Sequence, residues 1–272
     1  MWQVSVIVTT YNRSAHLRLC MAALEMQTVR PREVIVADDG SDPEHVREIQ
    51  RLIARSPLRV EHVRQEHEGF RVAASRNNAV RHATGDYLFF TDGDAVAFPD
   101  VLEQHLAVAA RGCWVAGYGV RLTEQETERL TEDVIRSGRL EELWPGWDDP
   151  RGARLVKGAA RFRRRALIAR FWPSERRLRK LQLIGLQSSV PREAFERVNG
   201  FDEDFRGWGE EDLDLGLRLG LAGVRGRTVA DVSRTLHLYH KALPATSQNL
   251  DYFRRPRRGK CRCDNGLHRD GP

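Results

Sequence analysis

The chain has 272 residues, of which 41% are hydrophobic and 30% charged. That length and balance give one extended folded domain with elaborations and exclude a disordered polymer. No apolar run reaches bilayer-spanning length, and Met1-Trp2-Gln3 enters the first apolar run with no basic leader, so no secretory signal is expected. The expected location is cytoplasmic, with the inner face of a membrane as an accessory site.

The formal net charge of +6 is unevenly placed. Residues 161–180 carry nine Arg and Lys against one Glu, and residues 254–262 carry six with no acid. Together these stretches hold +14, which leaves −8 on the rest. A basic flank on an acidic body suits an anionic phospholipid surface or a phosphorylated acceptor, and also a plain solvated helix. No nucleic-acid motif accompanies it, so no specific nucleic acid is expected. Four cysteines are too few and too scattered for a disulfide framework: Cys20 and Cys113 read as core residues. Cys261 and Cys263 with His268 make only half of a metal knuckle, and the tail from Arg254 reads as unstructured.

In chain order, Val4–Thr10 is a β-branched run expected to be a buried strand. Ser14 is placed to cap a helix with Leu17, Cys20, Met21 and Leu24 on one face. Glu33–Ala37 reads as a strand, and Asp42-Pro43 opens a helix that turns Val46, Ile49 and Ile53 inward. Leu58–Val63, Val72–Ala83 and Tyr87–Thr91 continue as strand, helix and strand. Pro99–Ala110 and Trp114–Val120 add a helix and a strand. Thr123–Arg136 reads as one helix, Trp144–Pro150 as a breaker-rich loop, and regular patterning returns at Arg192–Val198, Glu211–Ala222 and Val224–Val232. This alternation predicts an α/β fold with a doubly wound, mostly parallel sheet. Residues 1–120 form a nucleotide-binding half, 121–250 an acceptor-side half of the same domain, and 251–272 a basic tail.

In such sheets ligands sit beyond the carboxyl ends of the strands, and there the sequence is polar. Asp92-Gly93-Asp94 follows a buried strand; two carboxylates facing one cavity repel unless a cation lies between them, and hard oxygen ligands favour Mg²⁺ or Mn²⁺. Asp38 and Asp39 end another strand, where a carboxylate can accept from a ribose or base; the same residues can also build a capping turn. Tyr11 could stack on a base or simply pack. Gly207-Trp208-Gly209 is a flexible turn carrying a flat apolar platform of the type sugars stack on, followed by Glu210, Glu211, Asp212 and then Asp214. Crowding raises a carboxylate's pKa and a helix N-terminus lowers it; either way a carboxylate remains to accept a hydroxyl proton. His237 or His240 could complete a metal site.

Taken together, Thr9-Thr10-Tyr11-Asn12-Arg13, Asp38-Asp39-Gly40-Ser41, Ala74-Ser75-Arg76-Asn77 and Asp92-Gly93-Asp94 resemble the inverting family 2 glycosyltransferases of the GT-A fold. Gly200 to Asp214 is similar to the C-terminal motif of β-1,4-galactosyltransferases and bacterial chondroitin polymerases. The resemblance covers about residues 3–120 and 185–241. It implies that Thr9, Tyr11 and Asp39 hold the nucleotide base with Asp38 nearby, and that Arg76 lies by base and diphosphate. Asp92 touches ribose or metal, Asp94 ligates the metal, and His237 fits the metal position better than His240. Asp212 is implied as catalytic base, Glu211 as a contact to acceptor or donor sugar, and Trp208 and Asp214 belong to the acceptor side.

The implied donor is a nucleotide-diphosphate sugar, with UDP favoured. The acceptor is a saccharide, a lipid-linked or a small molecule, as in polysaccharide, glycolipid or natural-product glycosylation. Glu210 in place of a small residue, and Gln187-Ser188-Ser189 in place of an Asn-containing turn, set the acceptor pocket apart. A sugar nucleotidyltransferase would share fold and metal but normally carries a Gly-rich basic loop after the first strand. A non-catalytic carbohydrate-binding protein would keep Trp208 and the acids without needing a metal.

Overall fold

The computed structural model describes residues 2–241 and 246–268. In chain order the first half runs β1 (Val4–Thr10), α1 (Ser14–Glu25), β2 (Glu33–Asp38), α2 (Pro43–Arg55), β3 (Val60–Arg64), α3 (Val72–His82), β4 (Tyr87–Asp92), β5 (Ala95–Ala97), α4 (Val101–Val108), β6 (Cys113–Ala116) and β7 (Val120–Arg121). The second half runs α5 (Glu124–Glu128), α6 (Glu132–Arg136), a 3-10 turn at Arg139–Leu143, α7 (Pro150–Phe171), α8 (Glu175–Leu178), β8 (Gln187–Pro191), α9 (Arg192–Arg197), α10 (Glu211–Leu221), β9 (Arg225–Thr228), β10 (Thr235–His237) and α11 (Ser247–Arg254).

Seven strands form the central sheet in the order β3-β2-β1-β4-β8-β6-β9, all parallel except β8. Period-two alternation builds a core on each face: Ile7, Ile35, Leu88 and Phe90 pack to one side, and Val6, Val8, Val34 and Phe89 to the other. Because the chain winds from β1 to β3 in one direction and returns to β4 on the other side of β1, the strand order reverses between β1 and β4. A crevice opens at such a reversal. Thr9 and Asp92 face each other across it.

A second sheet, β5-β10-β7, lies at this end. Neither β5, β8 nor β10 was legible as a strand, for they are short or polar. Gln187-Ser188-Ser189, which stands in place of an Asn-containing turn, is buried strand, and the Ser189 hydroxyl meets Tyr87 and His105. The strand expected over Trp114–Val120 breaks at Gly117, where a side chain would collide with Gln187. Thr123–Arg136 is two short helices, with Thr123 and Thr131 each capping its own. Ser14 begins α1 but does not cap it; its hydroxyl meets His45 instead. Cys20 and Cys113 are core residues as expected.

The tail from Arg254 is not an unstructured end over its described part. Cys263 and Leu267 are buried, and the Asn199 side chain bonds the backbone of Cys263 and His268. Local composition hid this, since the partners lie some 60 residues upstream. No helix among the described residues is long and apolar enough to cross a membrane.

Candidate active site

At the end of β2, Asp38 is wholly buried, and both its oxygens are committed inside the protein, to Ser41 N–H (2.8 Å) and His62 Nε2 (2.9 Å). Burial pushes its pKa up, but the His62 and Ser41 hydrogen bonds outweigh that and hold it below the usual carboxylate range. Asp38 therefore builds the turn, with each oxygen already accepting a hydrogen bond inside the protein. Asp39 points the other way, accepting from Gln65 (2.6 Å) and from Arg71 N–H (2.7 Å), its pKa raised by burial. Gly40 has φ +87°, and any side chain there would strike the His67 backbone at 2.6 Å. Tyr11 is partly exposed and stacks on His67, ring centroids 4.3 Å apart and nearly coplanar.

The crevice between β1 and β4 holds a linear polar chain. Thr9 Oγ1 donates to Asp92 (2.9 Å); Arg76, on α3 and almost fully buried, donates one guanidinium nitrogen to Asp92 and the other to Glu211, each at 2.9 Å. Arg76 thereby ties the strand-end acids to the start of α10. Gly185 is required beside it, since a side chain there would overlap the guanidinium.

Asp94 sits where β5 begins. The antiparallel register pairs His237 with Ala95, and Leu238 N–H bonds Asp94 O (2.9 Å), so the strand pairing itself delivers the histidine. His237 Nε2 lies 3.6 Å from Asp94 Oδ1 and His240 Nε2 3.3 Å from Oδ2. Asp94, His237 and His240 form a possible metal site, their ligand atoms within 4.8 Å of one another. Asp94 Oδ1 is buried with no hydrogen-bond partner, a free oxygen aimed into the cluster. A carboxylate with two imidazoles suits Mn²⁺. Both histidines converge on Asp94, where the resemblance placed His237 ahead of His240. Burial lowers the His237 pKa, more than Asp94 raises it, which keeps the ring neutral as a ligand must be. Arg13, which sequence reading left without a role, donates to Asp94 at 2.8 Å; its place in Thr9-Thr10-Tyr11-Asn12-Arg13 was the available signal.

The acidic patch divides. Glu211 is buried, and desolvation together with the Asp212 charge pushes its pKa up to about 7 despite Arg76. Burial also raises Asp212, although its oxygens accept from Gly185 N–H (3.0 Å) and Leu213 N–H (2.7 Å). Trp208 stands 43% exposed on a loop whose carbonyls at Gly207 and Gly209 are stapled by Asn249. Glu210, just before α10, adopts φ +76°, a left-handed conformation rare for a side-chain-bearing residue. Asp214 does not face an acceptor. It is fully buried between Arg218 (2.6 Å) and Arg257, which anchors the tail to the inner side of α10. The i, i+4 step from Asp214 to Arg218 sets the two on one buried face of α10. Asp214→Asn is expected to destabilise the fold by about 3–5 kcal/mol in urea denaturation, by leaving Arg218 buried without its counter-charge.

A profile of the family described as glycosyl transferase family 2 matches residues 5–171, more than half of the chain. The chain belongs to glycosyl transferase family 2. A second profile, described as the N-terminal domain of galactosyltransferase, matches residues 165–241, the part of this family 2 chain that carries the acidic loop and the histidines. Validoxylamine A glucosyltransferase of Streptomyces hygroscopicus subsp. limoneus is 34% identical over 233 residues, covering 81% of this chain. The chain spans about half the length of that relative (48%). Among solved structures, a mannosyltransferase from Pyrobaculum calidifontis in complex with GDP-Man and Mn²⁺ has a TM-score of 0.56 at 22% identity, covering 89% of this chain and 57% of that one. TarS of S. aureus in complex with UDP-GlcNAc has a TM-score of 0.57 at 17% identity, covering 89% and 60%. The fold of this family 2 member is accordingly the GT-A fold of glycosyltransferases.

Proposed function

We propose that the protein transfers a sugar, with inversion at its anomeric carbon, from a nucleotide-diphosphate donor, a UDP-sugar in the first instance, to an acceptor hydroxyl, with Mn²⁺ or Mg²⁺ as cofactor. The observation that carries this reading is the convergence of Asp94, His237 and His240 beside the Thr9–Asp92–Arg76–Glu211 chain. Asp94 and the two histidines would hold the metal, which when bound supplies a Lewis acid for the departing diphosphate.

The other roles follow from what each group offers. Tyr11 and His67 present a flat stacked pair and Asp39 a desolvated carboxylate for the base and ribose. Thr9 and Arg76 orient Asp92 toward the crevice. Trp208 offers its exposed ring to the acceptor sugar. Asp212 takes the acceptor proton as the new bond forms from that oxygen to the anomeric carbon, and the bond from that carbon to the donor phosphate breaks. Glu211, held by Arg76, keeps a negative charge next to Asp212, which raises the basicity of the pair.

Donor hydrolysis and transfer with and without Mn²⁺ test the reading. A carbohydrate-binding protein would show neither, and a nucleotidyltransferase would leave the nucleotide sugar intact unless pyrophosphate is supplied, and would release pyrophosphate from a nucleoside triphosphate and a sugar 1-phosphate. A thermal-shift screen of nucleotide sugars with Mn²⁺ selects the donor.

The raised carboxylates set a pH dependence. A base works ionised, and burial raises the Asp212 pKa, so the acid limb of kcat/KM should lie above the usual carboxylate range, with the rate climbing with pH through it and then levelling. Glu211→Gln removes a like charge from Asp212 and should shift that acid limb to lower pH; an unmoved limb would show that the two acids do not titrate together.

A further inference from the structure

The helix α7 carries a surface that the proposed chemistry does not use. Its inward side packs Ala159, Phe162 and Ala169 into the protein. On the opposite side Arg154, Lys157, Arg161 and Arg164 follow one another at steps of three or four, a single stripe along the helix. The same stripe continues into Ile168 and Phe171, flanked by Leu167 and Trp172, and there the chemistry changes from basic to apolar. These four apolar side chains are 40–66% exposed, with Phe171 and Trp172 the most open large hydrophobic residues among those described. Phe171 and Trp172 lie 6.1 Å apart, centroid to centroid, and the Arg170 guanidinium sits 5.6 Å from the Phe171 ring. Ion pairs on this helix go through Arg151 and Arg163 instead. Among the described residues, the four cations of the stripe have no carboxylate within 4.0 Å.

An exposed aromatic and aliphatic end beside unneutralised cations is costly in water, and matches the boundary between anionic headgroups and acyl chains. Trp and Phe settle at that depth, whereas arginine and lysine stay with the phosphates. We infer that this face of α7 docks the protein on an anionic phospholipid surface, with Leu167, Ile168, Phe171 and Trp172 entering the interface and Arg154, Lys157, Arg161 and Arg164 held by headgroup phosphates. The inference stands on this helix alone and does not depend on the glycosyl-transfer reading.

Co-sedimentation of the full chain with vesicles tests it, comparing pure phosphatidylcholine with mixtures holding about one third phosphatidylglycerol. The protein is expected to pellet with the anionic vesicles only, and to be released as salt is raised. Phe171→Glu with Trp172→Glu, and separately Lys157→Glu with Arg161→Glu, should each weaken binding at least about tenfold. All four positions are solvent-exposed, so circular dichroism and melting temperature should match the parent protein. Failure to bind anionic vesicles, equal binding to neutral ones, or unaltered binding by both double variants overturns the assignment. So does a concentration-dependent dimer in analytical ultracentrifugation that the Phe171→Glu, Trp172→Glu protein loses, because it gives the apolar patch to a second copy of the chain.

Discussion

Asp212→Asn is expected to cut transfer by about a hundred- to ten-thousandfold while leaving donor binding in place, the span associated with loss of a positioned general base. The substitution keeps the volume of the side chain and one oxygen to accept from Gly185 N–H, so the loop that approaches α10 has no reason to move. The ability to accept a proton is what disappears. Glu211 does not replace it, since one of its oxygens is engaged by Arg76. With the neighbouring charge gone, Glu211 should ionise more readily, which makes it a weaker base than it is in the parent protein. Single-turnover transfer and isothermal titration with the nucleotide sugar separate the two effects. Wild-type turnover in Asp212→Asn would end the assignment of Asp212 as base, and a parallel loss of donor affinity would make the residue part of the binding pocket instead. Glu211→Gln gives a contrasting pattern, because it leaves the Arg76 guanidinium with a neutral amide oxygen in place of a carboxylate and so weakens the link between the donor and acceptor sides.

How much of this was legible in the sequence depended on how local the cause was. β1, β2 and β4 announced themselves because each is a β-branched or aromatic run buried on both faces, and the acids that follow them then fell at predictable strand ends. The division of labour between Asp38 and Asp39 was not legible. Two adjacent carboxylates on a strand end point in opposite directions, and which one meets the protein interior is decided by His62 and Gln65 on a neighbouring strand and its following loop. Asp214 was misplaced for a related reason: an acidic helix start looks uniform in sequence, but the helix turns its fourth residue inward onto Arg218 and Arg257. The tail was missed because its basic composition mimics disorder, while the interactions that order it lie with Asn199, Asp202 and Asp214 far upstream. His240 could not be separated from His237 by spacing, since the strand β10 ends between them and only the turn after it brings the second ring back to Asp94.

The same turn makes Asp94→Ala the sharpest test of the metal centre. Asp94 is where three side chains from two other segments meet: Arg13 from the loop after β1, and His237 at the end of β10 with His240 just beyond it. Removing the carboxylate takes away the anionic ligand and leaves two imidazoles beside a guanidinium, an arrangement that repels a divalent cation. The substituted protein is expected to lose the Mn²⁺-dependent part of donor stabilisation in thermal melts and to drop transfer by a hundredfold or more, roughly the cost of deleting one electrostatic contact to a developing charge. Folding should survive, because the backbone carbonyl of Asp94, which receives Leu238 N–H, is unchanged. His237→Ala and His240→Ala then rank the two rings: the larger rise in the Mn²⁺ concentration needed for half-maximal activity identifies the stronger ligand. If Asp94→Ala keeps Mn²⁺-dependent stabilisation, the cluster is an ordinary ion pair among Arg13, Asp94 and the histidines, and the metal-assisted reading of the whole crevice fails with it.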